Sequence, residues 1–533
     1  MSYPLALQPL VIEDDKNTKE AYQEIFSSIA EESAGLPFSY APPHFAFSYG
    51  EAVECLEKSK IFHVVILDLQ LPEKRKIPAV PGVDFGLKLL DLCVQRDRYP
   101  VPALLVISGH IGATEQTRMQ ETLRRGFYYG RAFVKGPHLG EEIGLACKEA
   151  LRYSAVGIHV RDAGDQRYPT ISPREEDLLR RSVLDQHGCV ALDLDWWSAQ
   201  QSQGFSVGGA AKPWTKVLMG RYILGEGGGA STPKFFKLMT GSDAEDVIKS
   251  ARHLAQKLAH VKLTNAITSR TRALIVTEKV GAQDERPKMV EEFLERATPK
   301  EAYEVACQVA EQVGCLGEIL PESRLFKTIL WPSHDRRLLE EQWVKFGPEV
   351  EKSLGAKSDA LELFEELKAS PDRLDLNEMS VVHGDLHIRN IAFDIRENRT
   401  EAYIFDAGIM KQNVAGRDLA VLEVSLMLHQ RFDAGTFAKV CSILYGSTEP
   451  LTGDSDNTIE NPVARNTIQF IRALRERAHT WNEPDRYALM VFDFALIQVG
   501  GLTFGSSGNM ISDHQSAVYL LATAAEWVRK LRK

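Results

Sequence analysis

One stretch of the sequence carries a carboxylate and an amide at a spacing that could serve chemistry. It runs from Val381 to Asp394, and within it Asn390 follows Asp385 by five positions. Phosphoryl transfer from ATP needs one carboxylate to orient a hydroxyl, and an amide oxygen and a second carboxylate to hold magnesium on the phosphates. Asp406 ends an apolar, strand-like run a little downstream. We therefore expect Asp385, Asn390 and Asp406 to form one site.

The segment His383–Asn390 resembles the catalytic loop of the aminoglycoside and choline phosphotransferase branch of the protein-kinase-like fold. That branch has His-Gly-Asp where protein kinases have His-Arg-Asp. The resemblance implies that Asp385 is the catalytic base, that Asn390 and Asp406 are Mg²⁺ ligands, and that Arg417–Ala420 is the structural segment that follows. The alternative is a buried histidine beside an aspartate that caps a helix.

Length and composition predict a globular protein of two or three domains. The chain has 533 residues, more than one ordinary core can hold. Its net charge of −10 argues against general nucleic-acid binding, which needs a basic face. Seven scattered cysteines predict reduced thiols in a cytoplasmic protein. We expect neither a signal peptide nor a membrane span, because Met1–Pro9 lacks a long apolar run and Tyr487–Phe504 contains Asp493 and Gln498.

Residues 1–153 alternate between apolar, strand-like runs and helix-like segments. This alternation predicts an α/β doubly wound parallel sheet of the flavodoxin-like kind. In such folds, chemistry gathers beyond the carboxyl ends of the strands. The sequence places a set of polar residues at these ends, namely Glu13, Asp14, Asp68, Ser108 and Lys135.

These strand-end residues could together support phosphorylation of the Asp68 carboxylate. Glu13 and Asp14 can bind a divalent cation beside Asp68. Lys135 can pair with the phosphate, and the Ser108 hydroxyl can hydrogen-bond it. The set resembles the receiver domain of response regulators, which implies that a partner histidine kinase or a small phosphodonor phosphorylates Asp68. The alternative is an ordinary flavodoxin-like domain with solvated carboxylates in its loops.

Residues 154–188 are predicted to be a linker with a short helix that begins near Pro173. Residues 189–280 then follow the order of a kinase-like small lobe, which is strand, glycine loop, strand, hairpin, and strand with lysine. Glycines let backbone N–H groups approach phosphates closely. We therefore assign part of the glycine loop to the nucleotide, namely Gly204, Ser206, Gly208 and Gly209.

Two further residues of the small lobe are assigned to the nucleotide. Lys237 is expected to neutralise the ATP phosphates, because apolar residues flank it on both sides, and Lys234 on the other face of the strand is its competitor. Glu278 lies at the end of the strand that leads to the hinge. In kinase-like folds, the hinge backbone contacts the adenine.

The resemblance also implies a glutamate on the next helix that pairs with the lysine. The helical pattern 243–258 carries acids only near its start, Glu245 and Asp246. Residues 281–533 are predicted to be the helical large lobe of an α+β bilobal protein-kinase-like domain. Within that lobe, we interpret the arginines of Ala464–Ala478 as a solvated helix face, with attraction of an anionic substrate or partner as the alternative.

Two hypotheses for the function follow. The first is an ATP-dependent phosphotransferase in a signalling pathway, which acts on a hydroxyl of a small molecule or a protein and is regulated at Asp68. The second is a weak or inactive nucleotide-binding module that is gated by phosphorylation, because no clear helix glutamate is present. The bland alternative to both is that the two domains serve oligomerisation, with a homodimer that pairs through the last helices of the receiver-like domain.

Overall fold

The computed structural model describes most of the chain in two compact units. The first comprises described residues within 1–197, 216–244 and 265–276, and the second comprises those within 245–264 and 277–533. The described residues are 5–32, 38–58, 61–74, 85–95, 100–108, 113–160, 171–196, 216–225, 228–240, 244–269, 272–278, 288–317, 320–325, 336–354, 360–369, 375–396, 399–405, 410–430, 432–454, 458–501 and 513–532.

A parallel five-stranded sheet forms the first part of the first unit. Its strands pair in the order β4-β2-β5-β6-β7, which is the flavodoxin-like order of a doubly wound sheet. The doubly wound sheet that the sequence predicts is therefore present, with the three-residue β4 as an addition. The strands are β1 (Leu5–Leu7), β2 (Pro9–Ile12), β3 (Phe38–Tyr40), β4 (His44–Ala46), β5 (Val64–Asp68), β6 (Ala103–Ser108) and β7 (Tyr129–Val134), with β1 and β3 as a separate parallel pair.

Helices cover both faces of this sheet. One face packs against the first and fifth helices through Phe26 and Cys147, and the other packs against the remaining three through Leu56, Leu89 and Leu123. Strands buried on both faces read as continuous apolar runs, which is why the sequence predicts them well. The helices are α1 (Thr18–Glu32), α2 (Tyr49–Glu57), α3 (Phe85–Gln95), α4 (Ala113–Gly126) and α5 (Leu139–Ser154).

A six-stranded sheet follows, in the order β12-β13-β11-β10-β9-β8. Its first strand lies in the segment 154–188 that the sequence predicts to be a linker, so this segment holds a strand as well as the predicted helix α6 (Pro173–Leu184). Only Ala155 and Val156 separate this strand from α5. The strands are β8 (Gly157–Val160), β9 (Cys189–Trp196), β10 (Lys216–Leu224), β11 (Lys234–Thr240), β12 (Leu263–Ser269) and β13 (Arg272–Glu278).

Helix α6 begins with a complete set of start signals. The Ser172 side chain accepts a hydrogen bond from the Glu175 backbone N–H, and the Glu175 side chain accepts one from the Ser172 N–H. Pro173 occupies the first turn, where its missing N–H costs no hydrogen bond. The apolar face of the helix packs on the six-stranded sheet through Leu178 and Leu179.

The second unit combines two three-stranded sheets with a helical core. The sheets pair in the orders β14-β17-β18 and β15-β16-β19. The strands are β14 (Lys288–Met289), β15 (Leu320–Leu325), β16 (Asp375–Val382), β17 (Ile391–Arg396), β18 (Arg399–Ile404) and β19 (Lys411–Val414). The helices are α7 (Ala244–Lys257), α8 (Val290–Leu294), α9 (Pro299–Gly314), α10 (Arg336–Leu354), α11 (Ala360–Ala369), α12 (Arg417–His429), α13 (Ala434–Tyr445), α14 (Pro462–Ala478), α15 (Pro484–Gly501) and α16 (Asp513–Leu531).

The arginines of α14 do not all lie on a solvated face, and for Arg475 that interpretation is wrong. Arg475 is buried, and its guanidinium binds both carboxylate oxygens of the buried Glu423 at 2.6 and 3.1 Å. The Tyr487 hydroxyl donates to the same carboxylate at 2.9 Å. A buried charge needs such partners because desolvation is costly. Within the part of the chain that the structure describes, no helix is both long and apolar enough to cross a membrane.

Candidate active site

The loop between β16 and β17 holds the segment His383–Asn390 that the sequence singles out as a candidate catalytic loop. It leaves β16 at Val382, passes through residues 383–387, and ends in a 3-10 turn, Ile388–Asn390, that runs directly into β17. Gly384 has a φ of 82°. A residue with a side chain would be strained in that left-handed conformation, which explains why a glycine stands between His383 and Asp385.

Asp418, at the start of α12, holds the first residues of this loop. Its carboxylate accepts the backbone N–H of His383 at 2.6 Å and that of Gly384 at 3.2 Å. Burial raises the pKa of Asp418 to about 6, while the two backbone donors and Arg417 act to lower it. The carboxylate is therefore largely charged at neutral pH, and its two charge-assisted hydrogen bonds fix the direction in which the loop leaves the strand.

Asp385 and Asn390 are brought together, as their spacing predicts. The Asn390 side-chain amide donates to the Asp385 backbone carbonyl at 2.7 Å. Because the amide nitrogen is used there, the carboxamide is oriented and Oδ1 is the atom that can bind a cation. The His387 Nε2 atom lies 3.8 Å from Asp385 Oδ1, and the Asp385 carboxylate remains about 29% exposed. The loop is thus held by the buried residues Asn390 and Asp418, while a substrate can reach the Asp385 carboxylate.

Asp406, the third member of the predicted site, lies outside the described residues, but the chain on either side of 406–409 is held. Phe405 donates its backbone N–H to the Asn390 carbonyl at 3.0 Å. The Phe405 carbonyl also lies 3.1 Å from Nε2 of His383. On the other side, the Met410 N–H donates to the Ser250 hydroxyl of α7 at 2.9 Å. No local sequence pattern marks Ser250 or His383 as a positioning residue, because the partners of both are distant in sequence.

The residues assigned to the nucleotide fall in several places. Gly204, Ser206, Gly208 and Gly209 lie outside the described residues. Lys237 on β11 is half-buried and lies on the face of the sheet opposite to Phe236 and Leu238, which pack with α6. Its competitor Lys234 lies on the same face as Phe236 and is more buried than Lys237. The Glu278 carboxylate lies 3.6 Å from Nζ of Lys262, and the two side chains are 41% and 67% exposed.

The helix acids that the sequence offers as lysine partners are both exposed. Glu245 and Asp246 lie in the first turn of α7, and Asp246 pairs with Lys249 at 3.1 Å. Exposed pairs of this kind contribute little to stability. The described part of α7 therefore presents no buried carboxylate for a lysine.

A second cluster of carboxylates forms at the carboxyl ends of the parallel strands, as predicted. Potential ligand atoms of Glu13, Asp14 and Asp68 all lie within 4.8 Å of one another. Lys135 Nζ lies 2.5 Å from Asp68 and 2.8 Å from Glu13. Ser108, buried at the end of β6, accepts the Lys135 backbone N–H with its carbonyl at 3.1 Å. All five strand-end residues therefore lie at one edge of the sheet.

The electrostatics of this cluster suit a divalent cation. Burial raises the pKa of Glu13 to about 7; a hydrogen bond from Lys135 acts to lower it, and the Asp68 charge raises it further. A cation bound among these oxygens would favour the charged forms, and oxygen-only ligands are what hard cations such as Mg²⁺ prefer. Tyr22, which no sequence pattern singles out, donates its hydroxyl to Glu13 at 3.4 Å.

Solved structures resemble this chain, although no family model and no curated protein matches it. One is the aminoglycoside-3'-phosphotransferase of type VIII, with 17% identity, coverage of 57% of this chain and 98% of that chain, and a TM-score of 0.27. Another is an ethanolamine kinase of Plasmodium vivax, with 13% identity, coverage of 58% and 79%, and a TM-score of 0.29.

A third match is a spectinomycin phosphotransferase solved with ADP and spectinomycin, with 12% identity, coverage of 62% of this chain and 92% of that chain, and a TM-score of 0.29. All three solved structures are phosphotransferases or kinases by name. At TM-scores this low, the likenesses carry no argument about activity.

Asp418 gives the candidate site a dependence on pH that can be measured. Its pKa in the folded protein is about 6, above the ordinary value of 3.8. The folded state therefore holds this proton to higher pH than the unfolded state does, and raising the pH from 5 to 7 should lower the free energy of unfolding by about 1 kcal/mol through this group. Asp418→Asn should lack this component when unfolding by urea is compared at the two pH values. An identical pH dependence in both proteins would contradict the assignment.

Proposed function

We propose that this chain is an ATP-dependent phosphotransferase that acts on a hydroxyl group, with Asp385 as its catalytic base. The observation that carries the proposal is the hydrogen bond from the Asn390 amide to the Asp385 carbonyl, in a loop whose entry Asp418 holds. The hydrogen bonds at Phe405 and Met410 support placing Asp406 in the same site. Loss of ATP turnover on replacing Asp385 by Asn tests this proposal.

The proposed mechanism assigns each residue one task. The Asp385 carboxylate orients the acceptor hydroxyl and takes its proton while the hydroxyl oxygen bonds to the γ-phosphorus and the bond to the bridging oxygen of ADP breaks. An amide oxygen from Asn390 and a carboxylate from Asp406 form a donor set that fits Mg²⁺. Bound with the nucleotide, Mg²⁺ would neutralise charge on the phosphates. We assign Lys237 a separate task, which is to supply positive charge to the ATP phosphates, as its place on β11 predicts.

The acceptor and the setting are part of the proposal. The His-Gly-Asp form of the loop favours a small-molecule hydroxyl, whereas the N-terminal carboxylate cluster favours a signalling role that extends to a protein acceptor. A second candidate is a module that binds nucleotide without transferring phosphate, and the exposure of Glu245 and Asp246 favours it. Calorimetry that detects ADP binding, together with no phosphate release from ATP, would support that second candidate.

We further propose that the N-terminal domain is a receiver whose Asp68 becomes phosphorylated by a histidine kinase or a small phosphodonor in the cytoplasm. The support is geometric, because Asp68 lies beside Glu13, Asp14 and the Lys135 ammonium at the strand ends. The Lys135 charge can pair with the new phosphoryl group. Because the two domains are fused in one chain, we infer that the N-terminal domain regulates the phosphotransferase.

Asp68→Asn is expected to abolish labelling of the protein by acetyl phosphate. In the wild type, an Asp68 oxygen bonds to phosphorus and acetate leaves, so one hydroxylamine-sensitive phosphoryl group per chain should appear when Mg²⁺ is present. The variant has no carboxylate for this step. The matched control is Asp91→Asn, which changes an exposed carboxylate of α3 and should label normally. Equal labelling of the Asp68→Asn variant and the wild type would exclude Asp68 as the acceptor.

A further inference from the structure

Helix α6 lies between the parallel-sheet domain, which comprises β1 to α5 (residues 5–154), and the six-stranded sheet. All of these elements belong to the first compact unit except the outer ends of β12 and β13. Its apolar residues Leu178, Leu179 and Val183 share one core with Leu218 and Phe236 of the sheet. Its polar residues behave differently from those of an ordinary surface helix. Arg174, Glu175, Asp177 and Arg181 are all buried, with exposures of 3%, 4%, 0% and 5%.

The buried arginines of α6 bind the ends of two helices of the parallel-sheet domain. The Arg174 guanidinium donates to the Cys93 carbonyl in the last turn of α3 at 3.2 Å. That of Arg181 donates to the Gly126 carbonyl at the end of α4 at 2.8 Å. The last carbonyls of a helix have no partner within the helix and carry its negative dipole end, so a guanidinium binds them well.

A third helix of the same domain is attached to α6 through Asp177. The Tyr153 hydroxyl, near the end of α5, donates to Asp177 at 2.8 Å, and Arg181 pairs with the same carboxylate at 2.8 Å. Arg180 adds a hydrogen bond to the Val156 carbonyl at 2.5 Å, directly before β8. The carboxyl-terminal ends of α3, α4 and α5 are therefore all bonded to α6.

On its other side, α6 is attached to the six-stranded sheet by an ion pair. Lys216 Nζ lies 2.5 Å from the Glu175 carboxylate, and the two side chains are only 12% and 5% exposed. Glu175 also caps the helix, so the pair ties the first turn of α6 to β10. This sheet carries Lys237 on its opposite face.

The near end of α3 lies beside the predicted phosphorylation site. A Cβ atom at Gly86, in the first turn of α3, would lie 2.4 Å from the Leu69 Cα, so this helix packs directly against the backbone of the residue after Asp68. A shift of that loop would press on α3, whose last turn accepts a hydrogen bond from Arg174. Packed cores respond to such shifts by moving whole elements, not by continuous deformation.

We propose that α6 couples the occupancy of the Asp68 site to nucleotide binding by the six-stranded sheet, with the Glu175–Lys216 pair as the link to the sheet. The proposal rests on the proposed function, since it requires both a phosphorylatable Asp68 and a nucleotide held by the small lobe. Breaking buried ion pairs and helix-end hydrogen bonds is costly, so α6 moves together with the helices it binds.

The test measures the affinity for Mg²⁺–ADP by calorimetry with and without beryllium trifluoride, which mimics a phosphoryl group on a carboxylate. In the wild type, the dissociation constant should change by about 5- to 150-fold, and ADP should change the affinity for beryllium trifluoride by the same factor. In the double variant Glu175→Gln/Lys216→Met, both ligands should still bind separately, and the coupling factor should fall below about 2.

The matched control carries the same substitutions in an exposed pair of the parallel-sheet domain, Glu54→Gln/Lys58→Met, and should keep the wild-type coupling. Absence of ADP binding in the wild type contradicts the proposed function. Independent binding of the two ligands to the wild type, or full coupling in the Glu175/Lys216 variant, overturns only the role of α6. If that variant does not fold, Lys216→Gln replaces it, since it removes the charge of the link to β10 and keeps a hydrogen-bond donor for Glu175. Unchanged coupling in that variant also overturns the proposal.

Discussion

Asp385→Asn is expected to lower ATP turnover by about 10²- to 10⁴-fold, the contribution that a positioned general base makes. The asparagine amide keeps the size of the side chain but cannot take the proton of the acceptor hydroxyl. Turnover is measured as phosphate released from ATP and as label transferred from the γ-position to a panel of hydroxyl compounds. Affinity for ADP should stay within about 2-fold of the wild type, because this residue is assigned to the acceptor and not to the nucleotide.

The hydrogen bonds through which Asp385 holds this loop leave from its backbone. Asp385 contributes to the loop through its backbone carbonyl, which accepts from the Asn390 amide at 2.7 Å and from the His387 N–H at 3.1 Å. Neither bond involves the carboxylate that changes. The matched control is Asp454→Asn, which changes an exposed aspartate of the same unit and should leave turnover unchanged. Undiminished turnover in Asp385→Asn would exclude this residue as the base.

The strand-end carboxylates could be predicted from the sequence because their placement follows from short-range rules. An apolar run of four to six residues marks a buried strand, and parallel strands bring their carboxyl ends to one edge. Glu13 and Asp68 are far apart in sequence, yet both follow such runs directly. The same rules missed β4, where only Ala46 is fully buried, and β8, whose four residues lie in what looks like a linker.

The contacts that hold the candidate active site could not be predicted in the same way. Asp418 binds the His383 N–H across 35 residues, and Ser250 binds the Met410 N–H across 160. Nothing in the local sequence of a serine or an aspartate states which distant N–H it will accept, since packing of the whole unit decides that. The five-residue spacing of Asp385 and Asn390, by contrast, lies within one loop, and the structure joins the two residues directly.

Burial of charge was the least predictable property. Arg174 and Arg181 occur in a helix that also carries Glu175 and Glu176, so the sequence suggests that its polar side chains face solvent. Burial of the two arginines depends on carbonyls at the ends of α3 and α4, which no helical pattern reveals. Arg475 is the same case in the second unit, and its environment leads to the second large expected effect.

Arg475→Met is expected to lower the free energy of unfolding of the second unit by about 3–5 kcal/mol, because it leaves the buried Glu423 carboxylate without its counter-charge. The guanidinium also donates to the Leu444 carbonyl at 2.6 Å and lies 4.2 Å from the Trp527 ring centroid. Methionine replaces some of the packing but none of the hydrogen bonds. Urea unfolding followed by tryptophan fluorescence measures the change.

Two comparisons separate the charge from the general effect of truncating an arginine on α14. Arg472→Met removes a partly exposed partner of Glu476 and should cost only about 0.2–1 kcal/mol. The double variant Glu423→Leu/Arg475→Met removes both buried charges and should recover most of the lost stability, because apolar replacements of a buried pair are often neutral. If Arg475→Met were no more costly than Arg472→Met, the buried pair would not stabilise the helical core. If the double variant were worse than the single one, lost packing and not the unpaired carboxylate would be the cause.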